Sequence, residues 1–198
     1  MRDQELHMPH TDTQNEYHRK RDFDRTPEPK GKGGATLDHP IFVIQKHQAS
    51  SLHYDFRLEV GDVLKSWAVP KGPSKDPSEK RLAVPTEDHP REYADFEGTI
   101  PEGEYGAGTV MVWDRGTYEN LSEEGMPMEE AIENGHVSVQ LHGTKLQGGF
   151  ALIRTHGGDR WLLIKMRDDK ADPAWVPEDE ATSAVTGRTL EEIAKKEE

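Results

Sequence analysis

The chain contains no cysteine. That removes disulfides, thiolate zinc sites, iron–sulfur clusters and cysteine nucleophiles together, so any metal would have to be held by His, Asp or Glu. Long apolar runs are missing too. No stretch approaches the roughly 18–20 residues that span a bilayer, and the opening MRDQELHMPH lacks the apolar core of a secretory signal. Hydrophobic residues make up 32% of the chain and the mean hydropathy is −0.90, a polar composition for a globular domain. A soluble, cytoplasmic protein with no membrane partner is expected. Excess positive charge is also absent, since the formal net charge is −13. A polyanionic partner would therefore have to meet a focused positive site, to which a bound divalent metal could contribute, and not a broad basic face.

What remains is 198 residues, enough for one domain of ordinary size with loose ends. Residues 1–30 are nearly devoid of aliphatic side chains, with Leu6, Tyr17 and Phe23 breaking a polar text, and TPEPKG at 26–31 forces extended backbone. This reads as a flexible arm, either disordered or draped over the body. The body, 31–168, reads as β. In HYDFRLEV, residues 53–60, Tyr54, Phe56, Leu58 and Val60 alternate with His53, Asp55, Arg57 and Glu59. Gly61-Asp62 and a second apolar run then give a hairpin signal. Further strands are expected at 41–46, 81–86, 109–114, 136–142, 148–155 and 160–167. Many short strands punctuated by Gly and Pro indicate a compact antiparallel β-barrel, or else a sandwich. One short helix is expected at 127–134, ending at Gly135. The tail, 169–198, carries 9 of the chain's 38 acidic residues. A helix is expected at 190–197, opened by a Thr189-x-x-Glu192 capping box. Its narrow apolar stripe of Leu190, Ile193 and Ala194 suggests weak docking or none.

The chemistry concentrates on strand 53–60. Its polar face presents His53, Asp55 and Arg57 at steps of about 6.5–7 Å. His47 lies upstream of a short loop that could return it toward His53. The set His47, His53 and Asp55 would form a two-His, one-carboxylate metal site with open positions. Arg57 beside it would offer a planar, permanently charged fork for phosphate or carboxylate oxygens. Taken alone, such a strand also fits an ordinary solvent-facing polar side. Lys71, between two prolines, and His89 are further candidates, His89 as an acid or as a donor to an oxyanion. The glycine-rich stretch 101–108 has neither the Gly-Lys-Ser/Thr pattern nor a following helix, so it reads as a tight β-turn. Trp67, Trp113, Phe150 and Trp161 fit strand patterns and read as core.

The runs QKHQASSLHYDFRLEVGDVLKSWAVPKGPS, RLAVPTEDHPREYADFEGTIPEGEYGAGTVMVWDRGTYE and KLQGGFALIRT with RWLLIKMRD resemble the 3′-phosphoesterase domain of bacterial DNA ligase D. The likeness covers roughly residues 17–168. YHRKRDFDRTPEPKG and TGRTLEEIA are similar to the flanking segments, and without ligase or polymerase text the resemblance is to a stand-alone form. The resemblance implies a β-barrel enzyme that uses a divalent metal, typically manganese, to process 3′ ends in DNA repair and end joining. It would remove a 3′-terminal ribonucleoside from DNA or RNA-tailed DNA, leaving a 3′-phosphate, and then remove that phosphate. A ligase or end-joining factor is an implied partner. Carried over by position, His47, His53 and Asp55 are metal ligands. Arg57, His89 and Tyr93 surround the scissile phosphate, while Lys71, Arg81 and Glu87 are further catalytic positions. Arg21, Asp22 and Glu28 belong to the ribonucleoside step. Pro85-Thr86 and the acidic tail depart from the family pattern.

Two other readings fit parts of the text. His-x-Asp with a distal His136, His142 or His156 is the pattern of a non-haem Fe(II) oxygenase. A non-catalytic module that binds DNA ends and recruits a ligase through its acidic tail is the other.

Overall fold

The computed structural model describes residues 14–31 and 39–195; the expectations placed on the first 13 residues, on 32–38 and on 196–198 lie outside these. Nine strands carry the architecture: β1 (Ile41–Gln48), β2 (Leu52–Val60), β3 (Val63–Val69), β4 (Arg81–Pro90), β5 (Gly98–Ile100), β6 (Gly108–Asn120), β7 (His136–Gly143), β8 (Gln147–Arg154) and β9 (Trp161–Lys165). Neighbours pair in the order β1-β2-β3-β4-β9-β8-β7-β6, and β6 pairs back to β1, so eight antiparallel strands close into a barrel. Closure removes the exposed edges an open sheet would leave. Short β5 adds to the β6 side; it went unseen in the sequence because three residues carry no measurable alternation.

The barrel is filled by one face of each strand. Phe42, Ile44, Tyr54, Phe56, Leu58, Trp67, Val69, Met111, Trp113, Val137, Val139, Leu141, Phe150, Leu152, Trp161 and Leu163 form one buried cluster, including all four aromatics assigned to the core from the sequence. The β2–β3 hairpin turns at Gly61-Asp62, with Val60 paired to Val63. Gly61 has φ +65, the left-handed value a Gly-first two-residue turn demands.

A second, smaller core lies on the outer face of the β3–β2–β1–β6 wall. Val43, Leu64, Val110 and Val112 meet Tyr93, Ala94, Phe96, Ile100 and Tyr17 there. The short 3₁₀ helix Arg91–Asp95 and the N-terminal arm therefore cover that wall. The arm contributes α1 (Asn15–Arg19), a helix not anticipated in the sequence. Tyr17 is fully buried and its hydroxyl donates to Pro29 O at 2.6 Å. Of the two alternatives for the arm, residues 14–31 take the draped one.

The helix expected at 127–134 is α2 (Met128–Asn134), stopped by Gly135 at φ +75. The tail helix is α3 (Leu190–Lys195), and the capping box forms in both directions: Thr189 N donates to Glu192 Oε2 at 2.9 Å and Glu192 N to Thr189 Oγ1 at 3.3 Å. The expectation of weak docking is corrected. Ile193 is buried in the main core with Leu190 packed beside it. Ala184 N donates to Val112 O, and Thr186 and Arg188 both bond Glu97. One buried isoleucine, a backbone bond to β6 and side-chain bonds to Glu97 suffice to anchor a segment whose composition is mostly charged. No described helix is long and apolar enough to cross a membrane.

Candidate metal centre and active site

The antiparallel register of β1 and β2 sets His47 directly opposite His53, and Asp55 opposite Gln45. Cross-strand partners share a face, and so do residues two apart on one strand. His47, His53 and Asp55 therefore converge. One ligand atom from each lies within 4.8 Å of the others. His53 Nε2 is 3.3 Å and His47 Nδ1 3.7 Å from Asp55 Oδ2.

Each imidazole is oriented by its other nitrogen. His47 Nε2 faces Gly106 O at 2.7 Å, and His53 Nδ1 faces Ser51 O at 3.2 Å. A carbonyl can only accept, so those nitrogens carry the protons and the lone pairs of His47 Nδ1 and His53 Nε2 turn toward Asp55. Two inward lone pairs beside a carboxylate oxygen are a donor set that a divalent cation completes, and carbonyl-oriented imidazoles are the usual support for such a set. Burial opposes the charge on Asp55. Arg57 and the two imidazoles outweigh it, and the carboxyl stays far below the ordinary range. Burial likewise opposes charge on His53, but its bond to Asp55 prevails and raises the pKa.

Arg57 lies on the same face of β2. Its Nε donates to Gln45 Oε1 at 2.7 Å, its Nη2 is 3.5 Å from Asp55 Oδ2, and its guanidinium lies 4.9 Å from the Tyr93 ring centre. His89 is buried beside it. Its Nδ1 lies 2.8 Å from Glu87 O and 3.2 Å from Arg57 Nη1. Since Glu87 O needs a donor, Nδ1 carries the hydrogen, and Arg57 is an electrostatic neighbour of the ring. His89 Nε2 is then the acceptor for Arg21 Nη2 at 3.4 Å. Burial, followed by the charges of Arg57 and Arg21, holds His89 well below the ordinary histidine pKa. The ring is neutral.

The arm enters through Arg21, whose side chain is 4% exposed. Arg21 Nε donates to Glu28 Oε1 at 2.8 Å and Nη1 to Glu87 Oε1 at 3.1 Å. Glu28 also accepts from Thr26 Oγ1 and Tyr93 Oη, both at 2.8 Å. Burial, then the Glu28 charge, push the Tyr93 phenol well above its usual pKa, so it remains a donor. The resulting cavity, about 240 Å³, is lined by His47, His53 and Asp55 together with Arg21, Arg57, Glu87, His89, Tyr93 and Tyr105 among others.

Comparison with known proteins identifies the family. The family model described as the DNA Ligase D 3′-phosphoesterase domain matches residues 45–154. The chain belongs to that family. It is 49% identical over 191 residues to the multifunctional non-homologous end joining protein LigD of Pseudomonas aeruginosa, covering 92% of this chain and 22% of that protein. It is 49% identical over 163 residues to the multifunctional non-homologous end joining DNA repair protein LigD of Mycobacterium tuberculosis, covering 82% and 21%. For the corresponding LigD of Mycolicibacterium smegmatis the identity is 48% over 160 residues, covering 78% and 20%. The chain thus spans about a fifth of the length of these curated relatives.

Among the residues the family resemblance singles out, nine gather around the cavity: Arg21, Glu28, His47, His53, Asp55, Arg57, Glu87, His89 and Tyr93, with Glu28 reaching it through Arg21 and Tyr93. Three stand apart from its lining. Lys71 is exposed in the turn after β3. Arg81 pairs with Glu79 at 2.6 Å. Asp22 shapes a turn, accepting from Asp24 N at 3.1 Å. None of His136, His142 and His156 lines the cavity, and His142 instead pairs with Glu119 at 2.8 Å. The third histidine-or-acid partner of the His-x-Asp pair is His47, not a downstream histidine as an oxygenase triad requires.

Four contributors escaped the sequence reading. Gln45, fully buried, holds Arg57 on one side and donates to Tyr93 O (2.7 Å) and Phe96 O (2.9 Å) on the other. Its place one alternation step before His47 was the available signal. Thr86 lines the cavity with a buried hydroxyl that has no protein partner. The stretch 101–108 is a turn as expected, yet it also supplies Gly106 O to His47 and Tyr105 to the lining. Its glycines carry that role: a Cβ on Gly108 would lie 2.0 Å from Gln48 O, so only glycine lets the turn close against the end of β1 beside His47.

Proposed function

We propose that this chain is a divalent-metal-dependent phosphoesterase, with manganese the preferred metal, that processes 3′ ends of DNA or RNA-tailed DNA during end-joining repair in the cytoplasm. It removes a 3′-terminal ribonucleoside, leaving a 3′-phosphate, and then removes the phosphate to give a 3′-hydroxyl. The observation that carries this reading is the convergence of His47, His53 and Asp55 on one point beside the buried guanidinium of Arg57.

His47 Nδ1, His53 Nε2 and Asp55 would hold the metal. When bound, it supplies positive charge to the non-bridging phosphate oxygens and acidifies water, and manganese suits mixed imidazole, carboxylate and phosphate ligands. The protein's own groups do the rest. Arg57, fixed at Nε by Gln45, keeps its Nη groups for phosphate oxygens. Its charge strengthens where water is excluded, and a fixed donor of this kind is worth about 10²–10³ in rate. Tyr93 offers a neutral hydroxyl whose position Glu28 sets. His89 is neutral while two guanidinium groups flank it. An arriving phosphate offsets those charges and draws Arg21 off His89 Nε2, so Nε2 takes a proton from water as the substrate binds and passes it to the leaving oxygen. Lys71, Arg81 and Asp22 are proposed to act on the strand outside the cavity, and a ligase or end-joining factor is the proposed protein partner.

The test is electrophoresis of a labelled primer–template ending in one ribonucleotide. With manganese, the expected result is loss of the terminal nucleoside and then of the phosphate, and chelator stops both. A strand left intact with metal present overturns the reading and favours a non-catalytic end binder.

A further inference from the structure

Two tyrosines line the cavity and they differ in kind. Tyr93 is buried and hydrogen-bonded at the floor. Tyr105 is 48% exposed at the mouth. Its backbone is firmly held. Glu104 N donates to Pro101 O at 3.2 Å and Ala107 N to Glu104 O at 3.1 Å. The next carbonyl, Gly106 O, receives the proton of His47 Nε2. Two cations of the arm flank the ring: Lys20 Nζ lies 4.7 Å and the Arg21 guanidinium carbon 5.4 Å from its centre. Lys20 Nζ also lies 3.4 Å from the Tyr105 hydroxyl.

An exposed aromatic ring on a rigid loop, with cations beside it and a polyanion-binding pocket below, is the arrangement by which single-stranded nucleic acids are gripped without sequence preference. The ring supplies a π-face that every base can use, and Lys20, paired with Glu16 at 2.7 Å and Glu87 at 3.4 Å, keeps a positive charge at the mouth beside it. The glycines on either side, Gly103 at φ +85 and Gly106 at φ +74, bend the loop so that it projects the ring while its next carbonyl anchors a metal ligand. Placement one residue from that anchor fixes the distance between base and scissile phosphate.

We propose that Tyr105 is the stacking platform for a nucleobase adjoining the scissile phosphate. This rests on the phosphoesterase reading and deepens it, because it makes the enzyme sense a base as well as a phosphate. The base is either that of the departing terminal nucleoside or that of its upstream neighbour, and both present the same face to the ring.

The experiment compares wild type, Tyr105→Ala and Tyr105→Trp on the ribonucleotide-ended primer–template, and on versions abasic at the terminal or at the penultimate position. Tyr105→Ala is expected to lose about 5- to 150-fold in kcat/KM on the intact strand, the range found for base–aromatic stacking, while Tyr105→Trp keeps most activity. On one of the two abasic strands wild type and Tyr105→Ala should converge, and that strand names the base. A second arm uses 2-aminopurine at each position, with chelator present to prevent turnover. Wild type should quench its fluorescence and Tyr105→Ala should not. Equal losses on all three strands, or a Trp variant as poor as Ala, overturn the platform and leave the phosphoesterase standing. A wild type that cleaves nothing overturns the phosphoesterase, and the fluorescence arm then decides the platform by itself.

Discussion

Tyr93 Oη donates to Glu28 Oε1 at 2.8 Å across 65 residues of chain. That bond ties the arm to the 3₁₀ turn beside the candidate metal set, and Glu28 joins it to Arg21 through the same oxygen. The Glu28 side chain is fully buried. Glu28→Ala would leave the Arg21 guanidinium under-compensated in a dry site, which costs about 3–5 kcal/mol. Tyr93→Phe removes one bond to a charged acceptor and should cost about 1–3 kcal/mol. Urea unfolding should rank them in that order, and a Glu28→Ala protein as stable as wild type would mean that the arm is not part of the cooperative fold.

Of the three proposed ligands, Asp55 has the most to lose. Asp55→Asn keeps its shape and removes the charge that opposes Arg57 and draws the cation. Manganese binding, followed by calorimetry, should fall below detection for Asp55→Asn, His47→Ala and His53→Ala, and turnover with it. Retained binding in any of the three would show that the donor set lies elsewhere.

Metal affinity should depend on pH through His53. Its pKa is raised by Asp55 despite burial, and only the neutral ring can ligate. Metal and proton therefore compete below that pKa. Affinity should fall as pH falls, approaching about tenfold per pH unit for one displaced proton, in calorimetry run from about pH 8 to 5. A flat profile contradicts the assignment of His53 Nε2 as a ligand.

Stability should also fall on the acid side through His89, for a different reason. Its folded pKa is depressed by burial and by Arg57 and Arg21. Above the ordinary histidine value of 6.5, neither folded nor unfolded His89 binds a proton and there is no effect. Below it the unfolded chain binds one that the folded chain refuses, so stability drops with pH until the folded pKa is reached. The slope is about 1.4 kcal/mol per pH unit for one proton. His89→Gln should show a shallower decline than wild type in urea melts below pH 6.5, and identical slopes would place the acid sensitivity in other groups.

The strand text was legible because alternation is a local property. Tyr54, Phe56, Leu58 and Val60 declared their face, and the same period declared His53, Asp55 and Arg57 on the other. The hairpin at Gly61-Asp62, the capping box at Thr189 and the stop at Gly135 were legible for the same reason, since each is fixed within four residues. The barrel's closure, β1 on β6, depends on partners about 70 residues apart, and only the folded chain shows it.

What the sequence determined by itself was the set of donors on β2 and their spacing, because a strand's pleat dictates them. What the tertiary structure decided was that this polar face is covered and not solvated. Composition made the arm and tail look loose, yet Tyr17 and Ile193 are fully buried against the body. The difference is physical: a few apolar anchors and buried charge pairs hold a polar segment only when their partners, distant in the chain, are already in place. Gln45, Tyr105 and the Gly106 carbonyl gained their roles in the same way, from neighbours that no local pattern names.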